Sequence, residues 1–274
     1  MNFAAILENT RARRPLVHAI TNNVTVNDCA NIILAVYGAP TMAQDEREVE
    51  EITALSQALL LNLGALRAQQ SMLLAGKKAN ALGLPIVLDP VAAGASFLRG
   101  ETSRRLLHEL HLSVIRGNAS EMRALAEGSE TTQGVEASAI DRVTEDNLDG
   151  ALARLRAFAV RTGAVAVQTG AIDLIAAPDG RAAVVRGGSE LMSRITGAGC
   201  MLSALTAALC GGNPDAPFEA AATAVCTMNV CAELAERRVR EMTEGTASFR
   251  TRLIDAVSNV QPSLLEQKAK IILL

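Results

Sequence analysis

Met192-Ser193-Arg194-Ile195-Thr196-Gly197-Ala198-Gly199-Cys200-Met201-Leu202-Ser203-Ala204 places a thiol directly after a Gly-Ala-Gly turn that opens an apolar helix. The first N–H groups of a helix have no acceptor within it and carry the positive end of its dipole, so such a turn is an anion site. Glycine lets an anion reach the backbone, because no Cβ stands in the way. A side chain at position 200 then points to where phosphoryl chemistry can occur, and the dipole is expected to lower the pKa of the Cys200 thiol. The same residues also read as a tight turn followed by a buried cysteine, since Cys is among the most buried residue types. A short Gly-rich match does not separate the two readings.

Outward from this turn, compact apolar runs alternate with helical ones. Leu16–Thr21, Ala58–Leu63, Pro85–Asp89, Ser113–Arg116 and Ala164–Thr169 read as strands. Val26–Val36, Arg67–Leu82, Leu148–Thr162 and Cys200–Leu209 read as helices between or after them. Such alternation predicts an α/β fold with a mostly parallel central sheet and helices on both faces. Asp173–Ala177 and Ala182–Arg186, joined by Pro178-Asp179-Gly180, predict a hairpin with Asp-Gly turn chemistry. Pro217 to Val260 reads as almost wholly helical, and the polar stretch Glu127–Asn147 as a surface loop with a short helix. No linker or internal repeat divides the chain, which predicts one domain over residues 1–274.

Composition narrows the class. Apolar residues make up 49% of the 274, with no Trp and one Tyr, so the core is built from Ala, Leu, Val and Ile. A net charge of −3 without a Lys/Arg run excludes nucleic acid and anionic membranes as expected partners. The five cysteines (29, 200, 210, 226 and 231) have no C-x-x-C spacing, and no signal-peptide pattern opens the chain. Reduced thiols and a cytoplasmic location are the expectation. Cys29, Cys210, Cys226 and Cys231 fall on apolar helical faces and read as core.

Ligands of open α/β sheets bind beyond the carboxyl ends of the strands. The polar residues there are Thr21-Asn22-Asn23, Asn62, Asp89, Arg116-Gly117-Asn118 and Thr169-Gly170. With Pro15–Val24, Asn31–Met42, Asn62-Leu63-Gly64, Leu88–Gly94, Ile115–Glu121, Val167–Gly170, Gly187-Gly188, Leu191-Met192 and Thr196–Cys200, they resemble the hydroxyethylthiazole kinase family of the ribokinase-like superfamily. The string Ile115-Arg116-Gly117-Asn118-Ala119-Ser120-Glu121 is specific to it, as is Cys200 where the wider superfamily carries Asp. Tyr37 stands where the family usually has Gly, and Gln168 replaces a more usual apolar residue. The tail Leu264–Leu274 runs past the resemblance.

The resemblance implies a ribokinase-like three-layer sandwich. It also implies ATP-dependent phosphorylation of the hydroxyl of 4-methyl-5-(2-hydroxyethyl)thiazole, with Mg²⁺, in a homotrimer whose active sites lie between subunits. Cys200 is then the catalytic residue. Asn23, Met42 and Gly197 bind the thiazole alcohol; Arg116, Thr169, Gly197, Ala198 and Gly199 bind ATP. Asp89, Asn118 and Glu121 serve the metal through water. Asn118 and Glu121 read equally as a helix-capping box, and Asp89 before Pro90 as an ordinary strand end. His18 reads as a satisfied core residue, and His108 and His111 as solvated. A kinase for another small alcohol, such as hydroxymethylpyrimidine or pyridoxal, is the alternative substrate reading. A nucleotide-binding protein without catalysis is a third reading, opposed by Cys200, Arg116 and Glu121 standing together.

Overall fold

The computed structural model describes residues 1–127 and 142–274. Its centre is a sheet in the order β2-β1-β3-β4-β5-β6-β7-β8-β9. The strands are β1 (Leu16–Ile20), β2 (Ala39–Thr41), β3 (Ala58–Asn62), β4 (Ile86–Asp89), β5 (Val114–Asn118), β6 (Val165–Thr169), β7 (Ile172–Ala176), β8 (Ala182–Arg186) and β9 (Lys270–Leu273). From β2 to β6 every pairing is parallel; β6 to β9 is antiparallel. The hairpin turns at Gly180, whose φ of +95° needs a residue without Cβ. The predicted mostly parallel sheet is thus present, extended by two elements the pattern did not reveal. Strand β2 has only three residues, too few for a periodic signal. Strand β9 comes from the tail and pairs with β8.

Helices cover both faces. On one side lie α1 (Phe3–Arg13), α2 (Val26–Ala35), α8 (Ala198–Gly212), α9 (Pro217–Glu241), α10 (Thr246–Ser258) and α11 (Pro262–Lys268), over a core that includes Val17, Leu60, Val87, Val114 and Val167. On the other lie α3 (Val49–Leu55), α4 (Gln69–Ala81), α5 (Phe97–Glu109), α6 (Ala119–Glu127) and α7 (Leu148–Thr162), over Leu59, Leu61, Leu88, Ile115 and Ala166. Adjacent residues of a strand point to opposite faces, so each parallel strand is apolar on both sides. The helical C-terminal third breaks once, at residues 242–245 between α9 and α10. Most of the predicted loop Glu127–Asn147 falls outside the described residues, and its end, Glu145–Asn147, is a 3-10 turn.

Helix α8 begins at Ala198, two residues before the sequence reading placed it, so Cys200 lies in its first turn. Its far end approaches other backbone closely. A Cβ on Gly211 would stand 2.9 Å from Pro15 Cβ, and one on Gly212 would stand 2.5 Å from Thr10 Oγ1. Tyr37 has φ +69°, a left-handed conformation that disfavours any residue with a Cβ. This accounts for the glycine usual there, and the Tyr37 side chain is half exposed beside Arg11 rather than in the core.

Strand order reverses around β1, which has β2 on one side and β3 on the other. A crevice opens beyond the carboxyl ends of the strands at such a reversal. The amino end of α8 points into it.

Candidate active site

Strand parity collects the site. Leu60, Val87, Val114 and Val167 face the α8 core. Two residues further along their strands, Asn62, Asp89, Arg116 and Thr169 therefore face the same way; Asn62, Asp89 and Thr169 end their strands, and Arg116 lies two residues before the end of β5. The amino end of α8 meets them.

Gly197, the residue before α8, has φ +88° and lies against Thr25, whose Cγ2 is 2.7 Å from where a Cβ would stand. Helix geometry leaves the N–H groups of Ala198, Gly199 and Cys200 directed out of the helix end. At Gly199 a Cβ would sit 2.5 Å from the Arg116 guanidinium, so this residue must be glycine for the arginine to lie across the turn. Arg116 is almost buried and donates to Thr169 Oγ1 at 2.5 Å. Its Nε has no hydrogen-bond partner among the described residues, and the same holds for buried Asp89 Oδ1. Two unsatisfied polar atoms of opposite character, with Arg116 Nη1 4.0 Å from Asp89 Oδ2, mark a place built for further polar atoms.

The thiol sits in an amide network. Asn62 Nδ2 donates to Cys200 Sγ at 3.2 Å and to Asp89 Oδ2 at 2.9 Å. Asn22 Nδ2 reaches Sγ at 3.6 Å and Asn62 Oδ1 at 3.2 Å. Asn22 is itself fixed, because its Oδ1 accepts from the N–H groups of Val24 and Thr25. Ser203, one turn along α8 from Cys200, donates to Asp89 Oδ2 at 2.9 Å. Asp89 stands beside the thiol and shares the Asn62 amide with it.

Electrostatics here run against the sequence expectation for the thiol. Burial first, and then the Asp89 carboxylate, push the Cys200 thiol up, with Thr25, Asn62 and Arg116 acting the other way. Cys200 is therefore a protonated thiol in the free protein. Burial also pushes Asp89 and Glu121 up, and the Asp89 charge adds to the effect on Glu121; Arg116 opposes both. The other four thiols are buried, each pushed by burial to about 12, as core cysteines should be.

Asn118 and Glu121 form the capping box in full. Asn118 Oδ1 accepts from Glu121 N at 2.9 Å, and Glu121 Oε2 accepts from Asn118 N at 2.8 Å. Glu121 Oε1 also accepts from Ala92 N at 2.8 Å. Met42 follows β2 and is half-buried against the α8 core. Asn23 is exposed and is not among the residues gathered around the thiol; its neighbour Asn22 is.

Asn22 and Asn62, which the sequence places on the rim without a role, and Ser203 thus join the site; the sequence reading missed Asp173. This buried carboxylate on β7 accepts from Gly170 N at 2.9 Å and from Asn229 Nδ2 of α9 at 2.7 Å. It thereby fixes the turn directly after Thr169. Its signal was weak, since one Asp inside an apolar strand of a hairpin looks like an outward-facing residue.

Residues 7–263 match the model of the hydroxyethylthiazole kinase family. A hydroxyethylthiazole kinase of Clostridium acetobutylicum is 49% identical over 266 residues, covering 96% of this chain and 97% of that protein. The structure of a hydroxyethylthiazole kinase protein from Pyrococcus horikoshii OT3 superposes with a TM-score of 0.86 at 33% identity, over 99% of this chain and 98% of that one. A ribokinase-like superfamily protein from Enterococcus faecalis V583 shares the fold, with a TM-score of 0.64 at 11% identity over 97% and 95% of the two chains. The three-layer architecture is therefore ribokinase-like.

Burial pushes Asp173 up to about 6, while Asn229, the Gly170 N–H and Arg116 hold it down. Its folded value lies above its unfolded one, so its contribution to stability is full below the unfolded pKa and is lost as pH rises through about 6. Asp173→Asn abolishes this titration. Relative to wild type it should gain stability between pH 5 and pH 8, by about 1.4 kcal/mol. Urea unfolding at the two pH values measures the difference.

Proposed function

Because the chain belongs to the hydroxyethylthiazole kinase family, we propose that it phosphorylates the hydroxyl of 4-methyl-5-(2-hydroxyethyl)thiazole with ATP, a salvage step toward thiamine. The observation that carries the reading is the meeting of the Gly197–Cys200 helix end with Arg116, Thr169 and Asp89. Phosphoryl transfer asks a protein mainly for positioning and for positive potential around the moving group. The N–H groups of Ala198 and Gly199 supply fixed donors there, and Arg116 supplies a planar fork suited to phosphate oxygens. Thr169 holds that fork in place.

Cys200 takes the proton of the substrate hydroxyl. As a protonated thiol it acts by relay: the hydroxyl proton passes to Sγ while the thiol proton passes to the neighbouring Asp89 carboxylate, which shares the Asn62 amide with the thiol. In a loose transition state the hydroxyl becomes acidic only as the new P–O bond forms, so a weak acceptor suffices. Gly197, Asn23 and Met42 are assigned to the thiazole. Met42 brings a polarisable thioether to an aromatic ring.

Mg²⁺ fits these residues in a limited way. Among the described residues no group of three or more His, Cys, Asp or Glu could hold a metal ion. Asp89 has one buried unpartnered oxygen to offer. Both oxygens of Glu121 already accept backbone N–H groups, so Glu121, capped with Asn118, fits through water. Such a site suits an ion that keeps much of its water and takes phosphate oxygens as further ligands. When bound, Mg²⁺ supplies charge neutralisation on the β- and γ-phosphates.

We assign the whole chain to one kinase domain and the protein to the cytoplasm, where its five free cysteines suit a reducing compartment. No described helix is long and apolar enough to cross a membrane. A homotrimer with shared active sites is the proposed assembly, and the exposed Val24, beside Asn23, supports a contact there. Mass measurement in solution should give three chains per particle.

Coupled ADP-release assays on a panel of small alcohols test the substrate. The thiazole alcohol should give the highest kcat/KM, and a higher value for hydroxymethylpyrimidine or pyridoxal would overturn the assignment. Cys200→Ala should lower kcat by about 10². Cys200→Asp, with an ionised oxygen in place of the thiol, should retain more activity than Ala; an Ala variant at the wild-type rate would remove Cys200 from the mechanism. Gly199→Ala places a methyl group where the guanidinium lies. It should raise KM for ATP by about tenfold and leave KM for the thiazole within about twofold.

A further inference from the structure

The segment Met42-Ala43-Gln44 has no regular secondary structure, because the β1–β2 ladder ends at the pair His18–Thr41. Its backbone is held by side chains instead. His18 lies in β1 and is fully buried. Its Nε2 stands 2.9 Å from the Ala43 carbonyl oxygen and its Nδ1 2.8 Å from Thr53 Oγ1 of α3. A carbonyl can only accept, so Nε2 carries the proton and donates to Ala43. Gln44 Nε2 donates to the Thr21 carbonyl at 2.7 Å, and Ser71 Oγ donates to the Gln44 carbonyl at 2.7 Å.

We propose that His18 is a positioning residue for the acceptor alcohol: by holding the Ala43 carbonyl it fixes where Met42 meets the ring of the substrate. The inference rests on the assignment of Met42 to the thiazole. Thr41 is the last residue paired to a strand, so from Met42 onward the path of the chain is set by these hydrogen bonds. The imidazole points to the α3 side of the sheet, because Val17 and Ala19 on either side of it face the α8 core. It therefore cannot touch a substrate at the strand ends and acts only through the backbone it holds. Gln44 ties the same segment to Thr21, and the next residue, Asn22, reaches the Cys200 thiol. The ring contact and the reacting thiol are thus joined through a short run of hydrogen-bonded backbone. Burial pushes the imidazole down, which favours the neutral ring.

Two substitutions separate the two nitrogens. His18→Asn places its amide near the Nδ1 position, within reach of Thr53 but not of Ala43. His18→Gln places its amide near Nε2 and keeps the bond to Ala43. Steady-state kinetics, with urea midpoints to confirm folding, should give His18→Asn a KM for the thiazole raised by about tenfold, the size of one lost hydrogen bond. Its KM for ATP should stay within about twofold, and His18→Gln should stay within about threefold of wild type in both constants. Gln44→Ala frees the segment from its other side without touching the core and should raise only the thiazole KM. Equal effects of Asn and Gln, or thiazole and ATP constants moving together, would make His18 a packing residue and overturn the proposal. So would unchanged thiazole constants in both His18→Asn and Gln44→Ala. Met42→Ala tells the two readings apart. If it leaves the thiazole KM unchanged while His18→Asn raises it, the role of Met42 fails and the clamp stands. If it raises KM while His18→Asn does not, the clamp fails alone.

Discussion

Helix α8 can reach the strand ends only because it carries glycine at both of its ends. Gly211 and Gly212 let its carboxyl end lie against Pro15 and Thr10, and Gly197 and Gly199 let its amino end meet Thr25 and Arg116. A methyl group at any of these four positions would stand within 3 Å of a neighbouring atom. Close approach is what turns a helix dipole and a few N–H groups into a site, since their potential falls off within about the first turn. The Ala-rich and fully buried middle of α8 serves the same end by adding little thickness between backbone and sheet.

The polar groups that meet this helix are few, and most are shared. Asn62 holds both the thiol and Asp89, and Asp89 is also held by Ser203. Asp89 and Glu121 are buried carboxylates whose ionisation is opposed by burial and supported by Arg116. The unsatisfied Asp89 Oδ1 and Arg116 Nε carry a cost that a ligand with complementary charge removes. A fold shared at 11% identity with another ribokinase-like protein does not choose the substrate. Choice must come from the residues at the rim rather than from the fold.

Much of the candidate site was legible in the chain. Asp89, Arg116 and Thr169 each end an apolar run, and a period of two assigns them to one face once the strands are known. The capping box Asn118–Glu121 was legible from its spacing and is present with both reciprocal bonds. Asn62 was visible as a strand end, though not as the link between thiol and carboxylate. Asp173 was not legible, because its two partners lie across a turn and on a helix 56 residues away.

The sequence by itself determined the alternating α/β order, the parallel strands, the hairpin and the glycine turn, because periodicity and turn chemistry are local properties of the chain. Tertiary structure alone decided the state of the thiol. A helix end favours a thiolate, but burial and the Asp89 carboxylate, which comes from a strand more than a hundred residues earlier, outweigh it and leave the proton on Cys200. It also decided which of two adjacent asparagines reaches that thiol, since Asn22 turns inward with its own Asx turn and Asn23 is left exposed. Desolvation and through-space charge depend on neighbours that only folding supplies.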